Sequence, residues 1–204
     1  MRLTQDQLPQ GGRLSLPPAN RVLYVADGQL SIEGATLTAN QAAHRSGPTL
    51  AASAGGATAL RYELVRVGTA PVAGGSLLLE HAIELDPAAA YLMRCDRVDF
   101  DLGGEALPHR HKGGGIRCLI AGAMELRIEG HRERTIKPGQ AWFESGREPV
   151  YARASPDQPT SFIRCAILPR EIRGQSSIVY VDPAHAGSKP RRYTVFVDEP
   201  IELS

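Results

Sequence analysis

Apolar and polar residues alternate in short runs along most of this chain. Residues 29–33, 124–128 and 194–197 place apolar side chains at every second position, which is the period of a half-buried β-strand. Turn residues separate the runs, since the 204 residues include 21 glycines and 15 prolines. The pattern predicts an all-β sandwich or barrel of short strands. Residues 86–91 are compatible with one helical turn, and no longer helix is predicted.

A self-comparison predicts an internal repeat. Residues 21–34 align with residues 117–130 without a gap, and an arginine, two leucines and the tripeptide Ile-Glu-Gly coincide. Farther along, residues 41–47 resemble residues 140–146 after a small shift. The shared order and spacing predict a duplication that gives two related halves.

Two histidines mark a candidate metal site in the second half. His109 and His111 are one residue apart in a predicted strand, so both imidazoles should face the same side. Such a pair suits a divalent transition metal (iron, manganese, nickel, copper or zinc), provided that other strands supply further ligands. The alternative is a polar cavity that holds no metal. The first half has no histidine at the matching residues 13–18, so we expect it to serve packing, assembly or gating.

Glycines around the histidines complete a spaced pattern. Gly103, His109, His111 and Gly122 resemble the first motif of the cupin family, in which a glycine, His-x-His, a glutamate and a second glycine follow at set spacing. Gly115 stands where that family has its metal-binding glutamate. The resemblance therefore comes with one metal ligand missing.

The family's second motif is matched in part by residues 137–151. Gly139, Gly146 and Pro149 fall on its places, whereas Val150 or Tyr151 stands where a histidine ligand belongs. The resemblance covers residues 95–168. It is more specific for the fold than for a reaction, because one fold carries many functions.

The resemblance implies an architecture of double-stranded β-helix (jelly-roll) barrels, two in tandem, as in a bicupin. We expect a degenerate first barrel without metal ligands over residues 1–88 and a second barrel with His-x-His over residues 89–170. Residues 171–204 should form an extension whose strands pack on the barrels, and its last strand, from Tyr193, should pair with the other half. Cupins commonly pair through their sheets, which implies a homodimer.

Arg117 is the first candidate for substrate binding. It lies two residues beyond Gly115 and shares its face, which points into the barrel in a cupin. A buried guanidinium needs an acceptor, which is either a structural carboxylate or an anionic ligand. The gapless alignment puts Arg21 at the matching place of the first half, which is compatible with a structural pair in both halves.

Residues near the second motif supply the other candidates. Trp142 and Tyr151 join Arg117 as predicted substrate-binding residues. Glu144, Glu148 and Tyr151 are candidates for a further metal ligand. Each of these three is also explained as a surface or rim residue.

Composition narrows the classes of partner. Lysine and arginine total 23 against 22 aspartates and glutamates, which gives no electrostatic case for nucleic acid or an anionic membrane. No apolar run approaches the roughly 20 residues of a spanning helix, and the amino terminus lacks the apolar core of a signal peptide. We expect a cytoplasmic protein with a small-molecule partner.

Three cysteines each follow an arginine in an apolar run. Cys95, Cys118 and Cys165 are an odd set without close spacing, which argues against a disulfide framework. They are expected to be small buried hydrophobic residues that face away from their arginines. A thiolate ligand or a redox pair is the alternative.

These features predict a metal-dependent enzyme that acts on a small carboxylated or enolisable molecule, with the dioxygenase, isomerase and lyase classes unresolved. The ion would act as Lewis acid or oxygen activator, with His109 and His111 as ligands and Arg117 orienting the anion. The alternative is a non-catalytic binding or sensing bicupin, with or without metal. A third hypothesis is a structural role with an empty apolar cavity.

Overall fold

The computed structural model describes residues 1–188 and 191–203 and contains two compact units. The first comprises Met1–Glu84 with Ile201–Ser204, and the second comprises Leu85–Pro200. Apart from two short 3₁₀ helices, Arg170–Ile172 and Pro183–Gly187, the regular structure of the described residues is β-strand. The predicted all-β class is confirmed.

The first unit is built on one curled antiparallel sheet. Its strands are β1 (Arg2–Leu8), β2 (Arg13–Leu16), β3 (Asn20–Ile32), β4 (Ala35–Thr38), β5 (Gln41–Arg45), β6 (Thr49–Ala52), β7 (Ala57–Leu64) and β8 (Gly75–Glu80). The sheet order is β2-β6-β3-β7-β1-β8, and β4 and β5 also pair with β3. Aliphatic side chains fill its interior: Leu8, Leu16, Leu23, Val25, Leu30, Ile32, Ala51, Ala57 and Ala59.

The second unit contains two five-stranded antiparallel sheets. Its strands are β9 (Tyr91–Phe100), β10 (Glu105–His111), β11 (Gly115–Ala121), β12 (Met124–Ile128), β13 (Arg134–Ile136), β14 (Ala141–Glu144), β15 (Val150–Ala154), β16 (Thr160–Pro169), β17 (Ile178–Tyr180) and β18 (Arg191–Ile201). The sheet orders are β13-β12-β15-β10-β17 and β14-β11-β16-β9-β18. Side chains from both sheets form one core, which includes Phe100, Leu119, Met124, Leu126, Trp142 and Val150.

The C-terminal strands differ from the sequence-based expectation. The prediction that the last strand pairs with the first half is wrong, because β18 lies beside β9 in the second unit. β17 likewise lies beside β10 at the edge of the other sheet. Residues 189, 190 and 204 of the predicted extension 171–204 lie outside the described residues.

The two units share one strand order. The order β14-β11-β16-β9-β18 of the second unit corresponds to β5-β3-β7-β1-β8 of the first, and β13-β12-β15-β10 corresponds to β4-β3-β6-β2. The long strand β3 therefore takes the places of both β11 and β12. A single strand can do so because it runs through both halves of its curled sheet.

A turn with the same hydrogen bonds recurs in both units. The Gln41 side-chain oxygen accepts from the Thr38 N–H at 2.9 Å, and the Gln140 oxygen accepts from the Lys137 N–H at 2.8 Å. The match between residues 41–47 and residues 140–146 therefore extends to the structure of this turn.

The gapless alignment of residues 21–34 with 117–130 is out of register by two residues. Gly28 and Gly122 occupy the same place, with φ of 73° and 76°, and a side chain at either would meet the backbone of the facing strand. By this register Leu23, and not Arg21, corresponds to Arg117. The pairing agrees, since Leu23 lies opposite the arginine of β7 and Arg117 lies opposite the arginine of β16.

The arginine–cysteine pairs occupy strands that are covered on both faces. Successive side chains point to opposite faces, as predicted. All six side chains are buried: Arg94, Cys95, Arg117, Cys118, Arg164 and Cys165. The cysteines are free thiols, and the expectation of buried cysteines is confirmed.

Candidate functional site

Strand β10 carries the two histidines into the interior of the second unit. The rings of His109 and His111 meet edge to face with centroids 4.9 Å apart, and both side chains are buried. His109 Nδ1 lies 2.7 Å from the Leu107 carbonyl oxygen. A carbonyl only accepts, so Nδ1 carries the proton of the neutral ring and Nε2 is its acceptor. The predicted common face of the two imidazoles is therefore present.

Glu144 lies at the centre of the site and not at its rim. Its side chain is 6% exposed, and Oε1 accepts a hydrogen bond from Trp142 Nε1 at 2.7 Å. Its other oxygen, Oε2, lies 3.2 Å from His111 Nε2 and 2.8 Å from Arg117 Nη2. The expectation of a surface or rim position for Glu144 is wrong. The end of β14 turns this carboxylate inward.

The charge states of these groups follow from burial and from the neighbouring guanidinium. Burial lowers the pKa of His111 to about 3, because the lost hydration outweighs the attraction of Glu144. Burial also lowers the pKa of His109. Burial alone would raise the pKa of Glu144, but Arg117, with His111 and Trp142, holds it well below its usual range. The site at neutral pH therefore contains two neutral imidazoles and a charged carboxylate.

Arg117 has a structural carboxylate as its acceptor. The side chain is 1% exposed, and Nη1 donates to the Gly115 carbonyl oxygen at 2.6 Å. Its ion pair with Glu144 is close but poorly directed, since neither Arg117 Nη2 nor Glu144 Oε2 makes a hydrogen bond with another described residue. The sequence left open whether Arg117 pairs with a structural carboxylate or with an anionic ligand. In the structure it pairs with a structural carboxylate, that of Glu144. Hydrogen-bonding capacity remains on both atoms.

Gly115 is a close approach between two strands. A Cβ at this position would overlap the Cys165 carbonyl oxygen and lie 2.7 Å from the Ala166 Cα. A glutamate therefore cannot be accommodated here without moving β16. Glu144 lies directly opposite Gly115 across the β11–β14 pair. The carboxylate thus enters the site from the neighbouring strand.

A cavity of about 20 Å³ lies against these residues. This volume accommodates roughly one water molecule. Part of its lining is apolar, and the polar side chains that line it are His109, His111, Arg117, Glu144, Arg164, Arg191 and Tyr193. Tyr193 is one of these lining residues and is 42% exposed.

The other predicted substrate-binding residues divide between two faces. Trp142 lines the cavity and packs edge to face on Phe162 with centroids 5.3 Å apart. Tyr151 lies on the opposite face of β15 from the cavity-lining Val150 and Ala152, under the guanidinium of Arg127. The structure therefore brings Trp142, and not Tyr151, to the cavity.

Strand β18 adds to the site an arginine and a tyrosine that the sequence patterns did not predict. Arg191 Nε donates to the Tyr193 hydroxyl at 2.7 Å, and Nη2 donates to the Tyr180 hydroxyl at 3.2 Å. Arg191 is 8% exposed, and its Nη1 has no hydrogen-bond partner among the described residues. Unlike Arg164, which forms a two-pronged pair with Asp96, it makes no ion pair within residues 1–188 and 191–203. The available signal was an Arg-x-Tyr pair at the start of an alternating strand.

The donor set does not fit a divalent metal ion as it stands. The described residues include no group of three or more His, Cys, Asp or Glu side chains arranged to hold an ion. The one carboxylate beside the histidines is already paired with Arg117. Arg164 and Arg191 add positive charge to the same cavity, which disfavours a dication.

Comparisons with known proteins identify the fold. No protein-family model matches the chain, and no curated protein matches it. Among solved structures, a tyrosine-for-tryptophan variant of oxalate decarboxylase from Bacillus subtilis is similar at a TM-score of 0.65 and 12% identity, covering 92% of this chain and 73% of that one. A second structure of the same enzyme, from a study of its Mn(II) centres, has a TM-score of 0.64 and 11% sequence identity over the same shares of the two chains. A cupin 2 conserved barrel domain protein from Leptotrichia buccalis has a TM-score of 0.51 and 12% sequence identity, covering 82% of this chain and 87% of that one.

The class defined by strand order and these likenesses is an all-β barrel protein of the cupin fold. The resemblance read from the glycines and histidines is confirmed for the fold. None of the helices in the described part of the chain has the length and apolar character needed to cross a membrane.

Proposed function

We propose that the second unit binds a small carboxylate in its cavity without a metal ion. The observation that carries this proposal is Arg191, a nearly buried guanidinium beside the cavity that has no carboxylate partner among the described residues. A non-catalytic small-molecule binding or sensing bicupin, with or without metal, was the alternative function predicted from the sequence. The anion would supply the partner that the described residues do not.

The energetics favour an anion beside the arginines that line the cavity. A buried charge without a counter-charge is costly, whereas hydrogen bonds to a charged group contribute about 1.5–3 kcal/mol each. Arg191 Nη1 and Arg117 Nη2 both have hydrogen-bonding capacity left, and both residues line the same cavity. A carboxylate matches the planar guanidinium fork in geometry and in charge.

The cavity also limits the size of the ligand. With a volume of about 20 Å³ it fits only a few atoms without rearrangement. Ligands of this size gain at most about 1.5 kcal/mol per non-hydrogen atom. We therefore expect carboxylates of one or two carbons, bound with dissociation constants from about micromolar to millimolar.

The metal-dependent enzyme remains the second candidate. It is favoured by the likeness in fold to an oxalate decarboxylase whose Mn(II) centres have been studied and by two neutral imidazoles side by side. On that hypothesis His109 and His111 hold a divalent ion and a small substrate is converted. Its dioxygenase, isomerase and lyase variants stay open, and metal-dependent turnover distinguishes it from binding alone.

The tandem-barrel architecture belongs to the same proposal. The shared strand order and the repeated glutamine turn support duplication, with a degenerate barrel over residues 1–88, a ligand-binding barrel over 89–170 and a strand-bearing extension over 171–204. The first barrel has Leu23 where the second has Arg117, so we assign it no ligand. Homodimer formation and a cytoplasmic location stay predictions.

Thermal unfolding in the presence of small anions tests the binding proposal. EDTA-treated protein would be heated with formate, acetate, propanoate, oxalate or succinate, and with chloride at equal ionic strength. We expect at least one carboxylate to raise Tm relative to chloride. Arg191→Met should abolish that rise, whereas the exposed control Arg134→Met should keep it. Equal Tm values in all the anions would contradict the proposal.

A further inference from the structure

The two buried histidines that line the cavity have hydrogen-bond acceptors left over. His109 Nδ1 donates to the Leu107 carbonyl oxygen at 2.7 Å, and in a neutral imidazole the other nitrogen is then an acceptor. His111 Nε2 faces a carboxylate oxygen of Glu144 at 3.2 Å and therefore carries the proton of its ring. Its Nδ1 is buried and has no hydrogen-bond partner among the described residues. The histidines therefore present lone pairs that only a donor can satisfy.

His109 and Arg191 contact the same tyrosine. Arg191 Nη2 donates to the Tyr180 hydroxyl at 3.2 Å, and the rings of His109 and Tyr180 have centroids 6.2 Å apart. His109 lies directly opposite Tyr180 in the β10–β17 pair. The imidazole and the guanidinium both line the cavity. A ligand in this cavity therefore meets a cationic donor and a neutral acceptor.

We propose that the ligand is a small 2-hydroxycarboxylate, with glycolate as its simplest member, whose carboxylate binds Arg191 and whose hydroxyl donates to His109 Nε2. This inference rests on the proposed carboxylate site and adds to it a class of ligand and a specificity-determining residue. The hydroxyl supplies the donor that acetate lacks. A site that hydrogen-bonds a ligand hydroxyl discriminates against the analogue without it, because its own polar group is then left unpaired.

The charge of the cavity separates a hydroxyl from an ammonium group as the donor. Glycine carries an ammonium where glycolate carries a hydroxyl. The lining contains the guanidiniums of Arg117, Arg164 and Arg191 against the single carboxylate of Glu144, so a further cation is disfavoured. We therefore expect glycolate to bind more tightly than glycine as well as more tightly than acetate.

Calorimetric titration of the EDTA-treated full-length protein with acetate, glycolate and glycine tests the inference. Wild type should bind glycolate about tenfold more tightly than acetate, and glycine more weakly than glycolate. His109→Asn removes the acceptor at Nε2, while its amide can still donate to the Leu107 carbonyl. This variant should bind glycolate no more tightly than acetate. The matched control His131→Asn, at an exposed position, should keep the tenfold preference.

His109→Leu is made in parallel, so that one variant without the acceptor remains if the other does not fold, and the comparison of acids in wild type needs no variant. Equal affinities of wild type for glycolate and acetate would overturn the inference and leave the carboxylate site in place. A glycolate preference that persists in folded His109→Asn, or tighter binding of glycine than of glycolate, would also overturn it. If neither acid binds, or if glycolate binding survives Arg191→Met, the carboxylate site itself is wrong and the inference falls with it.

Discussion

The two units share a strand order but pair their buried charges differently. In the first unit Arg61 pairs with Asp6 and Glu63, and Arg21 pairs with Glu63. Two guanidiniums therefore face two carboxylates in a closed network. Every strong charge in this network has its partner within the chain, and an aliphatic cluster packs in the same unit.

In the described part of the second unit, one buried guanidinium has no carboxylate partner. Arg117 pairs with Glu144 and Arg164 with Asp96, whereas the hydrogen-bond partners of Arg191 among the described residues are the hydroxyls of Tyr180 and Tyr193. This difference underlies the proposed carboxylate site, in which a bound anion would compensate the buried charge of Arg191. The closed network of the first unit, in which Arg21 and Arg61 are paired, is the internal reference for this comparison.

The largest expected effect lies in the first unit. Arg61→Met would leave Asp6 and Glu63 buried without this counter-charge, and breaking a buried pair costs about 3–5 kcal/mol. Denaturant unfolding of the full chain measures this loss, with the exposed Arg13→Met as control. Carboxylate affinity should not change. A loss below about 1 kcal/mol, the scale of an exposed pair, would mean that the network is not closed.

Removing the unpaired guanidinium of the second unit should change carboxylate affinity and not stability, which is the opposite of the effect of Arg61→Met. Arg191→Met should lower carboxylate affinity by about 10- to 100-fold, since it removes hydrogen bonds to a charged group worth about 1.5–3 kcal/mol. The free energy of unfolding should stay the same or rise, because no carboxylate is left unpaired. Calorimetric titration and denaturant unfolding measure the two quantities. A large loss of stability with unchanged affinity would assign Arg191 a structural role.

The buried histidine of the second unit predicts a pH dependence. The pKa of His111 falls from 6.5 to about 3 on folding, so the unfolded chain binds more protons between these values. Stability is therefore complete above pH 6.5 and is lost as pH falls toward 3, with a loss on the order of 2 kcal/mol at pH 5. His111→Gln should flatten this part of the profile. The exposed His131→Gln should leave it unchanged, and equal profiles for both variants would contradict the assignment.

The smallest perturbation uses the native cysteines as reporters of the second unit. Cys95, Cys118 and Cys165 all belong to that unit and are buried. Burial raises the pKa of Cys118 to about 12 and raises those of Cys95 and Cys165 as well, so no thiol should react in the native protein. A colorimetric thiol reagent should titrate three groups only after denaturation. Rapid reaction of any thiol in the native state would contradict the burial described.

Much of the fold was predictable because it is encoded locally. Alternating strands, the glycines at 103 and 122 and the His-x-His strand all express backbone periodicity or a positive φ, which short segments reveal. The gapless self-alignment failed because it matched Arg21 to Arg117 by identity. The structural register is set instead by glycines 28 and 122, where the chain passes close to a facing strand.

The site was only partly predictable, since its remaining members come together through tertiary contacts. His109, His111, Arg117 and Trp142 lie in or beside recognisable motifs, and all four line the cavity. The inward turn of Glu144 depends on its register opposite Gly115, and Arg191 arrives on an edge strand about eighty residues after His109. Short sequence segments do not reveal these tertiary placements, and the Arg-x-Tyr pair that begins with Arg191 marks only the start of an alternating strand.

Calorimetric titration of EDTA-treated wild-type protein with formate, acetate and oxalate tests the metal-free carboxylate site most directly. We predict saturable binding of at least one of them at one site per chain, with no added metal and with loss of binding in Arg191→Met. If none of the three binds until Mn²⁺ or Zn²⁺ is added, the central claim of a metal-free carboxylate site is wrong.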